Sequence, residues 1–278
     1  ERKRHLVFNP FGQIGWQGPH LFVFNLFPPS LGPVREGHVR SFLGVEEERE
    51  ALSSLAPGRF LFQGALGENT FMDWPVLDEE YFEWAAVLEA AAIASSRSWS
   101  DGARSGFAMA EIGSGLAATW GIRAAVAFHR LAPPTSPCLL LAVEPDWASA
   151  SQDSLRHALD INIPSQRCRM VTEAAPMKGD LLPSLAEVLD RAMGRRSRWD
   201  LVDLDCQECE LLVVREELPE LASRALRLHL STHSRAIHQE ALGRLRAAGW
   251  AVEVEYAWNS AATVGGLGPF VSRDGHIT

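Results

Sequence analysis

The alternation of strand and helix patterns after Gly106 limits the fold of this chain more than any other feature of its sequence. Short apolar runs, typical of strands buried on both faces, alternate with segments in which apolar residues recur at helical spacing. The predicted strands cover residues 107–112, 138–143, 167–172, 200–205, 226–231 and 250–256, and the predicted helices cover residues 116–130, 147–159, 183–193 and 238–248. Such alternation favours a mostly parallel sheet with helices on both faces, which places the chain in the α/β class.

The chain that precedes this alternation is irregular and rich in aromatic residues. Residues 9–34 include no Asp, Glu, Lys or Arg, but five prolines and four glycines interrupt them, so they cannot cross a membrane as one helix. We predict extended chain with a strand at residues 20–27, which packs on the core and forms either a homodimer contact or one wall of a binding cleft. A helix is predicted from its N-cap Asp78 to about Ser96, followed by a linker over residues 95–106.

Composition and charge exclude some classes of function. The 278 residues carry 26 Lys and Arg against 35 Asp and Glu, a net charge of −9, which is unfavourable for binding a nucleic-acid backbone. The four cysteines are too few for a disulfide scaffold of this size, so we expect a reducing, cytoplasmic location. Cys206 and Cys209 have the CxxC spacing of redox or zinc sites, but no second CxxC pair would complete a zinc site, so no metal is expected.

The first two predicted strands end in residues that suit a nucleoside ligand. Gly113 and Gly115 permit a tight turn and the close approach of a ligand to a helix N-terminus, although an ordinary strand-to-helix turn would use them too. The second strand ends at Glu144, whose carboxylate can accept hydrogen bonds from both hydroxyls of a ribose. A solvated loop acid or a helix cap is the alternative interpretation of Glu144.

The third and fourth predicted strands end in further candidate binding residues. Glu173 is followed by Ala174 and Ala175, which are small enough to leave room for a flat base. The fourth strand ends in a run of five acidic and amide side chains, from Asp203 to Glu210, that is expected near the mouth of the site. Runs of acids are usually solvated, but this one directly follows an apolar strand and would suit a cationic ligand.

Spacing and charge distinguish two cofactors that both contain a ribose. Glu144 lies 29 positions after Gly115, whereas NAD-binding motifs place their ribose-binding acid about 20 residues after the glycines. The negative charge of Glu111, just before the turn, would also repel a pyrophosphate. S-adenosylmethionine has no phosphate, and acidic and aromatic surroundings suit its ammonium and sulfonium cations. It is therefore the expected cofactor.

Several short motifs occur in an order that resembles a known enzyme family. They are Leu77-Asp-Glu-Glu-Tyr-Phe-Glu-Trp84, Glu111-Ile-Gly-Ser-Gly115, Val143-Glu-Pro-Asp146, Glu173-Ala-Ala175, Asp200-Leu-Val-Asp-Leu-Asp205 with Glu210, Thr232-His233 and Phe270-Val-Ser-Arg-Asp-Gly275. Through them the chain resembles the FkbM-type family of S-adenosylmethionine-dependent methyltransferases, which have the class I Rossmann-like fold. The resemblance implies a methyltransferase domain over residues 77–278, whose closing strand is 270–275, and an N-terminal elaboration over residues 1–76.

The resemblance also implies roles for individual residues at the cofactor. The turn residues Gly113, Ser114 and Gly115 would face the methionyl part and the ribose, with Glu111 beneath them. Asp205 would lie beside the methyl-transfer centre. The complete implied set of cofactor-binding residues is Glu111, Gly113, Ser114, Gly115, Glu144, Pro145, Asp146, Glu173, Ala174, Asp205 and Gln207.

The remaining roles concern the nucleoside part of the cofactor. The sequence also departs from the family pattern at two places. Glu144 would bind the ribose hydroxyls, while Glu173 and Ala174 would border the adenine. Ala117 replaces the family's third turn glycine. The segment Gln207-Glu208-Cys209 replaces its usual Glu-Gly-Ala, a change on the substrate side of the site.

Methyl transfer is an in-line displacement, which requires an aligned acceptor oxygen and is helped by a base. His233 is the predicted general base, and Asp205 is predicted to orient the acceptor hydroxyl or His233. The alternative is that His233 is a structural histidine whose ring is hydrogen-bonded at the edge of the sheet. The expected activity is O-methylation of a hydroxyl on a small molecule or glycan. A cofactor-binding scaffold without turnover and an NAD-dependent oxidoreductase remain as alternatives.

Overall fold

The computed structural model describes residues 21–30, 32–48, 80–100, 105–114, 119–144, 149–164, 167–174, 184–193, 198–207, 209–264, 267–272 and 274–278. The helices are α1 (Leu21–Asn25), α2 (Glu80–Ser100), α3 (Thr119–Leu131), α4 (Ser149–Asn162), α5 (Leu185–Met193), α6 (Cys209–Glu216), α7 (Leu218–Arg224) and α8 (Arg235–Ala247). The strands are β1 (His38–Arg40), β2 (Glu46–Glu48), β3 (Phe107–Ile112), β4 (Cys138–Val143), β5 (Cys168–Glu173), β6 (Leu201–Leu204), β7 (Leu228–Thr232), β8 (Glu255–Tyr256), β9 (Ser260–Val264), β10 (Leu267–Ser272) and β11 (Gly275–Ile277). None of the helices described is long and apolar enough to cross a bilayer.

A seven-stranded sheet in the order β5-β4-β3-β6-β7-β11-β8 forms the centre of the described chain. The pairs from β5 to β7 are parallel, and β11 runs antiparallel to both β7 and β8. This confirms the predicted α/β class and its Rossmann-like arrangement of a mostly parallel sheet flanked by helices. The strand order changes direction between β3 and β6, and the carboxyl ends of strands at such a switch point are where α/β proteins bind ligands.

Apolar side chains cover both faces of this sheet, which explains why its strands are continuous apolar runs. On one face, side chains of α2, α3 and α4 such as Leu88, Phe128 and Leu155 pack in one buried cluster with strand residues such as Met109. On the other face, α5 to α8 pack in a second cluster around residues such as Val202. The helices that follow β3 and β4 therefore cover one face, and those that follow β5, β6 and β7 cover the other. Right-handed crossovers require this change of face, because the order in which strands are added to the sheet reverses after β5.

The described part of the N-terminal elaboration packs on the first of these clusters. The ring centroids of Phe24 and Tyr81 lie 5.3 Å apart, and those of Phe42 and Trp84 lie 4.8 Å apart. The prediction of a strand at residues 20–27 is wrong, because residues 21–25 form α1. Phe24 and Phe27 are both buried while the two residues between them are exposed, and this spacing of apolar residues suits a helical turn.

The helix α2 extends four residues beyond its predicted end at Ser96 and replaces the first part of the predicted 95–106 linker. Serine is common in linkers because its hydroxyl competes for backbone hydrogen bonds. Here the hydroxyl of Ser95 donates to the carbonyl of Ala92 at 2.8 Å, and that of Ser98 donates to the carbonyl of Ala94 at 3.0 Å. Both bonds run back along the helix, so these serines are accommodated within it.

The C-terminal strands differ from their predicted bounds. Of the predicted strand 250–256, only Glu255–Tyr256 pairs in the sheet. Residues 267–272, which overlap the predicted closing strand 270–275, form a hairpin with β9 outside the sheet. The strand that enters the sheet is Gly275–Ile277. This short segment lacks a long apolar run, so only its pairing with β7 identifies it.

All four cysteines are paired in the structure. Cys138 and Cys168 join β4 to β5 with their Cα atoms 4.4 Å apart. Cys206 and Cys209 form the second disulfide, with their Cα atoms 5.5 Å apart. Disulfides are typical of oxidising compartments, so this pairing does not support the expected reducing location, and the cytoplasmic location stays a prediction.

Candidate active site

The carboxyl ends of five neighbouring strands form one edge, at which the predicted site residues meet. Residues 112, 143, 173 and 204 are aligned across β3, β4, β5 and β6 by strand register. The residues that follow them, Gly113, Glu144, Ala174 and Asp205, therefore lie side by side, and His233 follows the end of β7. The predicted residues 115, 145 and 146 lie outside the described residues.

The turn after β3 packs directly against the backbone at the end of β6. The backbone N–H groups of Gly113 and Ser114 donate to the carbonyl of Val143 at 2.9 and 3.1 Å. Gly113 has a φ of +87°, and a Cβ atom on it would lie less than 3.0 Å from the backbone of Asp205 and Cys206. Glycine is required here for both reasons.

Glu111 lies buried near the end of β3, two residues before this turn. It is 5% exposed, and Oε2 of its carboxyl group accepts a hydrogen bond of 2.8 Å from the N–H of Gly121 near the start of α3. Burial and the neighbouring charge of Asp203 raise its pKa to about 8, although the backbone N–H groups and Arg123 oppose the shift. Glu111 is therefore mostly neutral at pH 7, so it would repel a pyrophosphate only weakly. The distinction from NAD then depends on the spacing between Gly115 and Glu144.

Glu144 and Glu173 lie at the adjacent strand ends, on the side of the turn away from β6. The N–H of Glu144 donates to the carbonyl of Glu173 at 3.2 Å. The Glu173 carboxylate lies 3.4 Å from the guanidinium of Arg191, while Ala174 beyond it is exposed. Their positions suit the roles predicted for them at a ribose and a base, which stay predictions.

On the other side of the turn, His233 lies between two carboxylates. Its Nε2 is 3.1 Å from Oδ1 of Asp205, and its Nδ1 is 3.0 Å from Oε1 of Glu210. Burial lowers the pKa of His233, but the two nearby carboxylates of Asp205 and Glu210 outweigh it and raise this pKa to about 10. His233 is thus an imidazolium at neutral pH, with Asp205 as its partly exposed partner and Glu210 as its fully buried one.

The same three residues have the spacing of a metal site. One ligand atom from each of Asp205, Glu210 and His233 lies within 4.8 Å of the others. Because each ring nitrogen of His233 already faces a carboxylate, ion pairing within the cluster accounts for this proximity without a cation. A second group of this spacing consists of His129 and the cysteines of the 138–168 disulfide, whose sulfurs are already bonded to each other.

A buried polar row behind this edge was not predicted. Nδ1 of His229 lies 2.7 Å from Oδ1 of Asp203, and Nε2 of His229 lies 3.3 Å from Nδ1 of His276. Burial raises the pKa of Asp203, opposed by His229, and burial together with neighbouring histidines lowers the pKa of His276 far below its ordinary value. The sequence offered a clue to this row, because an ionisable residue stands within each of these apolar strand runs. Glu210 was a similar clue to the charged cluster: it belongs to one of the sequence motifs, but the sequence alone assigns no role to it.

Comparisons with known proteins found only remote similarity. No protein-family model matches this chain, and no curated protein matches it. Among solved structures, it is similar to the ribosomal protein L11 methylase of Lactobacillus delbrueckii subsp. bulgaricus, with 13% identity, a TM-score of 0.38 and coverage of 69% of this chain and 77% of that one.

Two further structures show the same limited likeness. The precorrin-6y C5,15-methyltransferase of Geobacter metallireducens GS-15 has 18% identity, a TM-score of 0.34 and coverage of 68% and 87% of the two chains. The human methyltransferase 10 domain containing protein has 12% identity, a TM-score of 0.41 and coverage of 73% and 82%. Likeness at this level carries no argument about this chain, so substrate and mechanism are inferred from the site itself.

Proposed function

We propose that this chain is an S-adenosylmethionine-dependent methyltransferase of the FkbM type that methylates a hydroxyl group on a small molecule or glycan. The observation that carries the proposal is the position of the Asp205–His233–Glu210 cluster directly beside the Gly113 turn, at the switch point of the sheet. A binding surface for a nucleoside and a set of polar groups for an acceptor are thereby adjacent, as group transfer requires.

The cofactor's contribution, when bound, is a methyl group made electrophilic by a sulfonium. We assign the turn at Gly113 and Ser114 to the methionyl part and ribose of the cofactor. The carboxylate of Glu144 accepts hydrogen bonds from the ribose hydroxyls, and Glu173 and Ala174 border the adenine. The carboxylate of Asp205 attracts the positive charge of the ligand and loses little by desolvation, because this side chain is 36% exposed.

Asp205 is also placed to handle the proton of the acceptor. His233 would act as the general base only when its imidazole is free of a proton, and its two ion pairs raise its pKa to about 10. We therefore assign the hydrogen bond from the acceptor hydroxyl, and the proton released on methylation, to the carboxylate of Asp205. His233 holds that carboxylate at 3.1 Å and acts as a positioning residue at neutral pH.

Calorimetric titration of the full chain with S-adenosylhomocysteine and, separately, with NAD tests the proposal. Binding of the first alone is the expected result. Binding of NAD alone would replace the proposal with an oxidoreductase, because the two ligands share a ribose but differ in phosphate and charge. Incubation with labelled cofactor and pools of hydroxylated acceptors then tests transfer.

A cofactor-binding protein without turnover is the second candidate. It is favoured by the Gln207-Glu208-Cys209 segment, which departs from the family pattern on the substrate side and lies within the Cys206–Cys209 disulfide. This candidate predicts S-adenosylhomocysteine binding with no methyl transfer to any hydroxylated acceptor.

A further inference from the structure

We propose that Cys206 and Cys209 are a reversible redox site, at which disulfide formation fixes the active-site turn and reduction releases it. The pair closes the turn between β6 and α6. Asp205 immediately precedes this turn and Glu210 immediately follows it. The state of the disulfide therefore acts on the segment that carries both carboxylates of the candidate site.

The two cysteines differ in accessibility, as a reversible disulfide requires. Cys206 is partly exposed, whereas Cys209 is 1% exposed and is the first residue of α6. A thiol reductant can therefore attack the sulfur of Cys206, and the sulfur of Cys209 departs as a thiolate at a helix N-terminus, where free N–H groups and the helix dipole favour negative charge. A CxxC pair with one exposed and one buried member is suited to this exchange.

A direct hydrogen bond connects the disulfide to the charged cluster. The N–H of Cys206 donates to Oε1 of Glu210 at 3.1 Å, and the same oxygen lies 3.0 Å from Nδ1 of His233. The backbone at residues 205 and 206 also contacts the Gly113 turn. A change in the backbone at Cys206 consequently alters the contacts of Glu210, the position of His233 and the surface offered to the cofactor.

One of the two residues enclosed by the disulfide, Gln207, adopts a backbone conformation that its side chain disfavours. Gln207 has a φ of +53°, in the left-handed region that residues with a Cβ atom seldom occupy. The covalent link between the flanking cysteines restrains the turn in which this conformation occurs. After reduction, Gln207 is free to return to negative φ, so the bond from Cys206 to Glu210 is expected to loosen.

The second disulfide provides a matched control within the same chain. Cys138 and Cys168 are the first residues of β4 and β5, so they lie at the edge of the sheet opposite the candidate site. Both are buried. Removing this pair should leave the turn at residues 205–210 unaffected.

The proposed exchange is balanced with a thiol reductant such as dithiothreitol. Two thiol groups of the reductant supply two electrons and two protons; the Cys206–Cys209 bond breaks, two protein thiols form, and the reductant becomes a disulfide. Oxidised glutathione supplies the reverse reaction, in which it is reduced to two thiols.

The test uses the full chain carrying Cys138→Ser and Cys168→Ser, equilibrated in glutathione buffers of graded ratio, then quenched with acid, denatured and labelled with a maleimide so that buried thiols also react. We expect two labelled thiols in the reduced form and none in the oxidised form, with a midpoint inside the glutathione range. Hydrogen exchange of the peptide that contains the Cys206 amide should be about tenfold faster after reduction, because that amide loses its acceptor. The variant with Cys206→Ser and Cys209→Ser should exchange at the faster rate in every buffer.

The affinity for S-adenosylhomocysteine provides the functional readout. Only this part of the experiment rests on the proposed function. S-adenosylhomocysteine should bind about five-fold or more weakly to the reduced form than to the oxidised form. Equal exchange rates for the oxidised and reduced forms, or thiols that never oxidise in these buffers, would overturn the redox proposal. If exchange responds to reduction but S-adenosylhomocysteine binds neither form, the redox site stands and the methyltransferase proposal fails.

Discussion

The backbone of Asp205 occupies the space that a side chain on Gly113 would need: a Cβ atom at Gly113 would lie less than 3.0 Å from the Asp205 carbonyl group. The turn after β3 and the end of β6 are therefore in direct backbone contact. This contact places the candidate acceptor groups next to the candidate cofactor surface and makes the geometry of one dependent on the other.

Replacing this glycine should disrupt both the turn and ligand binding. Gly113→Ala combines a positive φ with a clash against backbone that cannot rotate away, so we expect a loss of about 2–4 kcal/mol in the free energy of unfolding. Urea denaturation measures this loss. Gly243→Ala in α8 is the matched control: nothing lies within 4 Å of its added Cβ, and alanine's helix propensity should stabilise the protein by about 0.5–1 kcal/mol. Equal effects from both variants would contradict the assigned contact.

Glu144 should contribute to cofactor affinity. Glu144→Ala removes the carboxylate assigned to the ribose hydroxyls, and we expect S-adenosylhomocysteine to bind more weakly by roughly 1–3 kcal/mol. Calorimetry of the variant measures the change. Glu240→Ala removes a carboxylate from α8 that pairs with Arg215 at the surface and should leave affinity unchanged. If Glu144→Ala binds as tightly as the parent chain, the ribose assignment is wrong.

His233 and Asp205 should affect turnover. His233→Ala is expected to lower kcat while leaving cofactor affinity nearly intact, because the histidine contacts Asp205 and Glu210 and is not among the residues assigned to the cofactor. Asp205→Asn should lower kcat by about 10²–10⁴-fold, the usual contribution of a proton-transfer group. Steady-state assays with an identified acceptor test both. Unchanged turnover in His233→Ala would remove this residue from the mechanism.

Glu111 should make stability fall as pH rises from about 4.5 to about 8. Burial is the main cause that raises its pKa from 4.5 to about 8; the charge of Asp203 adds to this shift, and Arg123 opposes it. The folded state therefore holds a proton over this window that the unfolded state has lost, and stability decreases wherever the folded state binds more protons. In Glu111→Gln the amide oxygen can still accept from Gly121, so urea denaturation at several pH values should show a flatter profile. A profile as steep as that of the parent chain would contradict this assignment.

His233 should make a separate contribution to the pH dependence of the free energy of unfolding, at higher pH. The ion pairs with Asp205 and Glu210 raise its pKa from 6.5 to about 10, so its stabilising effect is complete below pH 6.5 and is lost as pH rises towards 10. His233→Gln should remove the part of the decline between these values. Persistence of the full decline in this variant would show that other groups cause it.

Local patterns predicted most of the fold because strand and helix periodicities are properties of short segments. The strands at 107–112 and 138–143 have their predicted bounds. Predictions failed where local preference was overridden. The residues of α1 bury aromatic side chains against α2, and the serines of α2 bond back to their own helix.

The sequence by itself determined that glycines and acids follow the apolar strands, and therefore that they meet at one edge of a parallel sheet. Only the tertiary structure decided which side chains pair there. His229 and Asp203 are 26 residues apart, and His276 is 47 residues from His229. Their contacts depend on strand order, on the antiparallel insertion of β11 and on burial, which no local periodicity encodes. The same holds for His233, whose protonation follows from two carboxylates that the fold brings to it.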